Sequence, residues 1–354
     1  MSNSKPANSM RGVSKNEHPF ARFIRILGKG RNGARSLTQE EAFEAMQMIC
    51  RYEVEPEQIS AFMMLLRVKE ETPEELAGFV EAMQASIGTP RPAPEVSIDW
   101  SSYAGKRRQL PWYLLAALAL AHRGISGFMH GFNRDDERLY VEDALHALDI
   151  ESCRSLDEAA TAIKNTGFAY VGLRNISRLA EELFDSRDLL GLRSPIHTIA
   201  RMFNPFSATL IMQGVFHPNY AAVHQQSAKL INQTRALAFK GEGGEAERIP
   251  ERACTLYGVT DDMLWEEEWP ALLPPDKYLA ESFPDLRHFR RVWDGEETDL
   301  YGEQAVVGTM ALALYGLGKA TSREDAHALA GEMWGSRHTT KSDDTSDHRM
   351  ARTS

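Results

Sequence analysis

Before residue 90 the apolar positions recur at the three- and four-residue spacing of helices that bury one face. Thr38 with Glu41 makes a capping box ahead of Phe43, Met46 and Ile49. Pro56 suits the first turn of a second helix carrying Ile59, Phe62, Met63 and Leu66. Thr72, Pro73 and Glu75 open a third, with Leu76, Phe79, Val80 and Met83 on its buried face. After the Pro-rich connector "GTPRPAPE" (88–95) the period changes. Short β-type runs at 96–100, 125–129, 168–172, 209–216 and 235–239 alternate with helical stretches near 110–123, 138–149, 156–164, 194–203 and 219–232. Two more helices are expected at 302–317 and 322–334. The alternation predicts a mostly parallel sheet covered by helices. Residues 1–18 and 336–354 are polar and without period, and are expected to be disordered tails. The expected layout is a small helical domain over 19–90 and a larger α/β domain over 91–335.

Composition narrows the class rather than the function. The chain has 354 residues, 43% of them hydrophobic and 25% charged, as in an ordinary globular protein. Its three cysteines, Cys50, Cys153 and Cys254, lack any C-x-x-C spacing, so neither a disulfide framework nor a zinc site is expected, and a reducing cytoplasm fits. No apolar run approaches the ~20 residues of a membrane helix, and the N-terminus lacks the core of a signal peptide. A chain neither exported nor anchored is expected. The formal net charge of −10 argues against a polyanion partner. Its distribution argues the other way, because residues 18–35 hold Arg22, Arg25, Lys29, Arg31 and Arg35 without one acid. A basic stripe on an acidic protein follows if such segments converge.

The candidate chemistry centres on "YAGKRRQLPW" (103–112), which follows a strand and enters a helix. Such a turn is where α/β proteins hold phosphate, on free backbone N–H groups and a helix N-terminus. Here it carries Lys106, Arg107 and Arg108. On the residues alone, the turn is either a solvated loop or a phosphate contact, and "GKGRNGAR" (28–35) offers the same two readings. Trp112 and Tyr113 either stack on unpaired bases or belong to the core, the core being the commoner use beside an apolar run. His130, alone after a strand, reads as hydrogen-bonded structure. His217 and His224 lack the spacing of metal ligands on one helix face. Arg187, Arg193 and Arg201 either line a cleft or are absorbed locally, with Asp188 at hand. "WEEEW" (265–269) reads as a solvated acidic face.

The helical unit from "SLTQEEAFEAMQMICRYEVEPEQISAFMMLLRVKEETPEELAGFVEAM", with "MHGFNR" (129–134), "GVFHPNY", "RALAFKGEGG" and "DGEETDLYGEQAVVGTMALALYGLGKA", resembles the anthranilate phosphoribosyltransferase family, glycosyltransferase family 3, over about residues 20–335. The resemblance implies a helical domain that also forms a dimer contact and a nucleoside-phosphorylase-like α/β domain. It also implies a cleft whose equivalent positions here are Gly105, His130, Gly131, Asn133, Arg187, His197 and Glu247. The departures from the family pattern share a direction. The enzymes' Gly-Thr-Gly-Gly-Asp diphosphate loop falls on "YAGKRRQ", where only Gly105 remains. Asp136 and Glu137 stand for serines and Tyr140 for a glycine, and carboxylates facing a diphosphate weaken its binding. The magnesium-binding Asp-Glu pair falls on Ala246 and Glu247, which leaves one of two oxygen ligands. His197 stands for an Asn and Arg201 for a Pro, while Arg187 matches the arginine facing the aromatic substrate.

These departures resemble the YbiB-like branch, which keeps the fold and dimer but is associated with nucleic-acid binding. The implied protein is a sequence-nonspecific nucleic-acid-binding homodimer preferring single strands, with no catalytic residue, metal or cofactor. Lys106, Arg107 and Arg108 would be the centre of contact, extended by Lys29, Arg31, Arg35 and Arg201. The rival reading is an enzyme on a phosphorylated sugar or nucleoside, with Lys106, Arg107 and Arg108 as an anion clamp and Glu247 as a residual magnesium ligand.

Overall fold

Thr38 and Thr72 each begin a helix through the reciprocal capping the sequence encodes. Glu41 N–H donates to Thr38 Oγ1 at 3.2 Å, and Thr38 N–H to Glu41 Oε2 at 3.0 Å. Glu75 and Thr72 repeat the exchange at 3.3 and 2.9 Å. The computed structural model describes residues 16–30, 32–90, 92–134, 137–275 and 284–338. Four helices come first: α1 (Ala21–Gly28), α2 (Gln39–Cys50), α3 (Pro56–Lys69) and α4 (Pro73–Ile87). Pro56 occupies the first turn of α3. α2 and α4 meet so closely at Gly78 that a Cβ there would stand 2.2 Å from the Gln39 carbonyl oxygen.

The α1 helix was not foreseen. Its arginines lie outside while Phe20, Phe23 and Leu27 turn inward, and Phe20 packs edge-on against Phe62 of α3 at 5.1 Å. A segment that reads as a charged stripe is thus one face of an amphipathic helix.

Beyond the connector run β1 (Ile98–Ser102), α5 (Trp112–His122), β2 (Gly127–Gly131), α6 (Val141–Ala147), α7 (Leu156–Thr166) and β3 (Phe168–Gly172). Then come α8 (Leu173–Ile176), α9 (Arg178–Leu190), α10 (Ile196–Ile199), β4 (Leu210–Val215), α11 (Asn219–Leu230) and β5 (Arg235–Lys240). The chain continues through β6 (Cys254–Thr260), β7 (Met263–Trp269), α12 (Leu286–Asp294), α13 (Leu300–Gly316) and α14 (Arg323–Gly335). The strands form one sheet in the order β3-β2-β1-β4-β5-β6-β7. β3 to β5 are parallel, and β6 and β7 extend the sheet antiparallel. The fold class is therefore the expected one: a small helical unit joined to a larger α/β unit with a mostly parallel sheet.

The five expected strands are present, and α8, α9, α12 and the β6–β7 hairpin are additions. Asp261 and Asp262, both with positive φ (47° and 68°), make that hairpin's turn. Three consecutive glutamates hide the alternation of β7. Of the expected tails, 1–15 and 339–354 lie outside the described residues. Arg337 is held within the fold, donating to the carbonyls of Val292, Trp293 and Trp334 and lying 3.9 Å above the Trp334 ring. The α/β core is dominated by α5 and α13, apolar on nearly every face and buried against the sheet. Among the described residues no helix is long and apolar enough to cross a membrane.

Candidate functional site

In open α/β sheets ligands bind beyond the carboxyl ends of the parallel strands, where neighbouring strands connect in opposite directions. Here that point lies between β1 and β4, and the glycine turn 103–105 leaves β1 directly into it. Its backbone N–H groups are already occupied. Those of Ala104 and Gly105 both donate to Glu245 Oε1, each at 2.6 Å. Gly105 needs its positive φ of 64°, and the Tyr140 ring lies over it, so that a Cβ would stand 2.8 Å from Tyr140 Cε1. The space a diphosphate requires is filled by a side-chain carboxylate and an aromatic ring.

Lys106 is turned inward. It is 1% exposed, and its ammonium donates to Glu242 Oε2 at 2.8 Å and Glu247 Oε1 at 2.6 Å. The other Glu247 oxygen accepts from Tyr113 N–H at 2.9 Å, in the first turn of α5. Burial pushes Glu247 up to about 7, with the Lys106 ammonium opposing that rise. Lys106, facing two carboxylates, remains protonated. Lys106 as the centre of strand contact is thereby corrected: an ion buried between two carboxylates has no free field to offer a phosphate.

The same geometry tests the magnesium that the resemblance implies. Glu247, the one remaining ligand, is bound to an ammonium, and the methyl group of Ala246 is buried at the position of the other. Among the described residues no cluster of three or more His, Cys, Asp or Glu side chains is placed to hold a metal. The residues do not fit a magnesium–diphosphate group.

The other two cations of the turn, Arg107 and Arg108, are exposed and have no ion-pair partner among the described residues. Arg108 opens onto a cleft of about 400 Å³ that also carries Phe216, His217, Lys240 and Arg252, with Glu242 and Glu251 on its wall. Phe216 and His217 form at the same time the rim of a second cleft, of about 140 Å³, bearing Arg67, Arg193, His197 and Arg201. The two clefts thus meet at the end of β4. Phe216 is 57% exposed where they join.

Arg193 lies among like charges: burial, then Arg201, Arg187 and Arg138, brings its guanidinium down to about 10. His197 is driven to about 3 by burial and then by Arg201 and Arg193, so it is neutral at physiological pH and bonds the Ser194 carbonyl through Nδ1 at 3.1 Å. Arg201 donates to the His197 carbonyl and lies 5.8 Å from the centre of the Tyr103 ring. Asp188, the neighbour available to Arg187, pairs instead with Arg134.

The remaining sequence candidates fall elsewhere. Lys29 is exposed at the end of α1 and lines neither cleft, and Arg31 lies outside the described residues. Arg35 is held by Glu41 through two 2.6 Å bonds, and Arg22 and Arg25 pair with Glu44 and Glu17. Three cations of the 18–35 stripe are thus paired with acids from α2 and with Glu17. His130 is buried, with Tyr103 Oη at 2.6 Å from Nδ1 and Asp99 Oδ1 at 2.9 Å from Nε2. Gly131 has no space for a side chain, since a Cβ would meet the Ser102 carbonyl oxygen at 2.1 Å. Asn133 donates to Glu142. Trp112 and Tyr113 are core, Tyr113 Oη lying 2.8 Å from Ser102 Oγ. Asp136 lies outside the described residues. Sequence reasoning missed Glu242 and Glu245 as internal acceptors and Phe216, Lys240 and Arg252 as cleft residues. An aromatic–histidine pair directly after a strand, in "GVFHPNY", was the available signal.

Residues 23–87 match the glycosyl transferase family helical bundle domain. An anthranilate phosphoribosyltransferase of Thermus thermophilus is 26% identical over 300 residues, covering 84% of this chain and 91% of the relative. The uncharacterised protein YbiB of Escherichia coli K12 is 27% identical over 335 residues, covering 89% and 99%. Among solved structures, the Thermus thermophilus anthranilate phosphoribosyltransferase (TrpD) superposes with a TM-score of 0.73 at 22% identity, over 91% of this chain and 95% of that one. The Saccharomyces cerevisiae enzyme in complex with PRPP and Mg gives 0.71 at 14%, over 90% and 94%. These likenesses bear out the resemblance and show that the fold is shared.

Proposed function

We propose that this chain, built on the anthranilate phosphoribosyltransferase fold, is a homodimeric, sequence-nonspecific binder of single-stranded nucleic acid that no longer transfers phosphoribosyl groups. The observation that carries the reading is the state of the phosphate turn. Glu245 occupies its N–H groups as a diphosphate would, and the Lys106 ammonium occupies Glu247 as a metal would. Phosphate affinity is left to the cations around the two joined clefts: Arg107, Arg108, Lys240 and Arg252 on one side, Arg67, Arg193 and Arg201 on the other, with Arg187 beside Arg193. Cations at that spacing neutralise successive backbone phosphates and release counterions whatever the base sequence. The overall charge of −10 disfavours a polyanion on the molecule as a whole, so a strand depends on local cations of this kind. A dimer offers two grooves to one strand and gains in avidity. The reading needs no metal and suits the reducing cytoplasm, where the free Cys50, Cys153 and Cys254 stay reduced.

The test is fluorescence anisotropy of a labelled single strand of about 30 nucleotides, titrated across salt concentrations. The logarithm of affinity should fall linearly with the logarithm of salt. Replacing Arg107 and Arg108 with alanine should weaken binding by about tenfold at low salt and reduce the slope by about 0.7 for each phosphate no longer neutralised. Absence of binding by the wild type at low salt ends the reading. Phe216 at the junction of the clefts supplies the stacking surface that the buried Trp112 and Tyr113 do not. Phe216→Ala should cost about 1–3 kcal/mol on single strands and much less on duplex, measured by the same titration.

A second reading, a transferase, is supported by the activity for which the Thermus and yeast relatives are named. It predicts that phosphoribosyl pyrophosphate with magnesium raises the melting temperature saturably. The polyanion reading predicts the same small shift with and without magnesium.

A further inference from the structure

The 140 Å³ cleft concentrates positive charge beyond what a passing phosphodiester needs. Arg67 and Arg193 line it with no ion-pair partner among the described residues, and Arg187, beside Arg193 but off the wall, is unpaired because Arg134 has taken Asp188. With Arg67 and Arg193, Arg201 makes a third guanidinium on the wall, partly balanced by the buried Glu245. Of the acids, Glu71 alone reaches the wall among the described residues, and it is shared with Tyr220 Oη at 3.4 Å and pushed up by its own burial. Two of the three histidines there contribute no positive charge. His197 and His224 are both driven to about 3, and His224 is fixed by Gln213 Oε1 at 2.9 Å. Guanidinium groups grip phosphate oxygens two at a time, and a phosphomonoester brings a charge near −2 where an internal diester brings −1. The cleft also opens, past Phe216 and His217, onto the Arg108–Lys240 cleft.

We infer that the cleft walled by Arg67, Arg193 and Arg201 is a phosphomonoester site, seating the terminal phosphate of a strand whose following phosphates run past Phe216 to Arg108 and Lys240. For the strand-end source the inference rests on the polyanion reading above. A free mononucleotide presents the same group, and the experiment separates the two.

Wild type is titrated against one short labelled strand in three forms, with a 5′-phosphate, with a 3′-phosphate and with hydroxyls at both ends. Thymidine 5′-monophosphate is tested alone and as competitor. One of the phosphorylated forms should bind about tenfold more tightly than the hydroxyl form. The mononucleotide should remove that gain and leave the remaining affinity intact. The double variant Arg67→Gln, Arg193→Gln should bind all three strands alike, at the wild-type affinity for the hydroxyl form. Should the double variant fail to fold, the wild-type comparison decides alone. Equal affinity of the wild type for all three forms overturns the inference and leaves the strand-binding reading standing. Saturable binding of the mononucleotide with no binding of any strand overturns the polyanion reading and keeps the phosphomonoester site. Binding of neither overturns both.

Discussion

Lys106→Met will lower the stability of the folded chain by about 3–5 kcal/mol near neutral pH, the cost of stranding buried charge when one partner is removed. Methionine matches the length of the lysine stem, so packing changes little and the loss is electrostatic. The ammonium lies between Glu242 and Glu247, and without it Glu247 is a buried carboxylate with only the Tyr113 N–H for support. The pH dependence follows from the same geometry. Glu247 titrates at about 7 in the folded chain against 4.5 in an unfolded one. The folded state therefore holds the extra proton between those values, and the group's contribution to stability falls as pH rises through that window. In the variant the folded value rises further and the window extends upward. The deficit should be largest near pH 8 and shrink toward about pH 5, where a protonated Glu247 needs no counter-ion. Urea unfolding of both proteins at the two pH values measures it. A deficit below about 1 kcal/mol, or one constant with pH, would mean that Lys106 is not the counter-ion of a buried pair.

Glu245→Ala should do more than destabilise. Two N–H groups lose their acceptor and Arg201 loses its nearest opposing charge, a loss of about 2–4 kcal/mol. The vacated turn then has the donors of an anion cradle: two converging N–H groups on a glycine turn with Arg201 behind them. Inorganic phosphate or sulfate should restore much of the lost stability, by about 2.7 kcal/mol at a hundredfold excess over its dissociation constant. The measurement is the rise in melting temperature with anion concentration, for the variant relative to the wild type. An equal rise in both proteins would show that Glu245 does not stand where an anion would.

The architecture was legible because its signals are local. Thr38 with Glu41 and Thr72 with Glu75 carry their caps within four residues, and the parallel strands are short, almost wholly buried runs bounded by turns. Where a second period was masked, reading failed. The cations of α1 conceal the Phe20, Phe23 and Leu27 stripe, and the glutamates of β7 conceal its alternation. The candidate site was legible only in part. That the 103–108 turn matters is visible in its glycine and its cations. Which of the three cations faces solvent is not, because Lys106 is fixed by acids more than 130 positions later in the chain. Nor does local sequence reveal that Arg35 is taken by Glu41 while Arg187 loses Asp188 to Arg134. Charge counted along a chain says nothing of charge already neutralised in space.

The hairpin that closes one side of the sheet has a consequence for how copies of this molecule meet. β7 is the outermost strand there, and an outermost strand leaves a row of backbone donors and acceptors open to any chain that can extend the ladder. Glu266 and Glu268 are exposed along it, with Glu267 between them turned to the Tyr315 hydroxyl at 2.7 Å. A second β7 approaching antiparallel would bring carboxylates against carboxylates. The glutamates act as a guard against runaway strand-to-strand stacking along this edge.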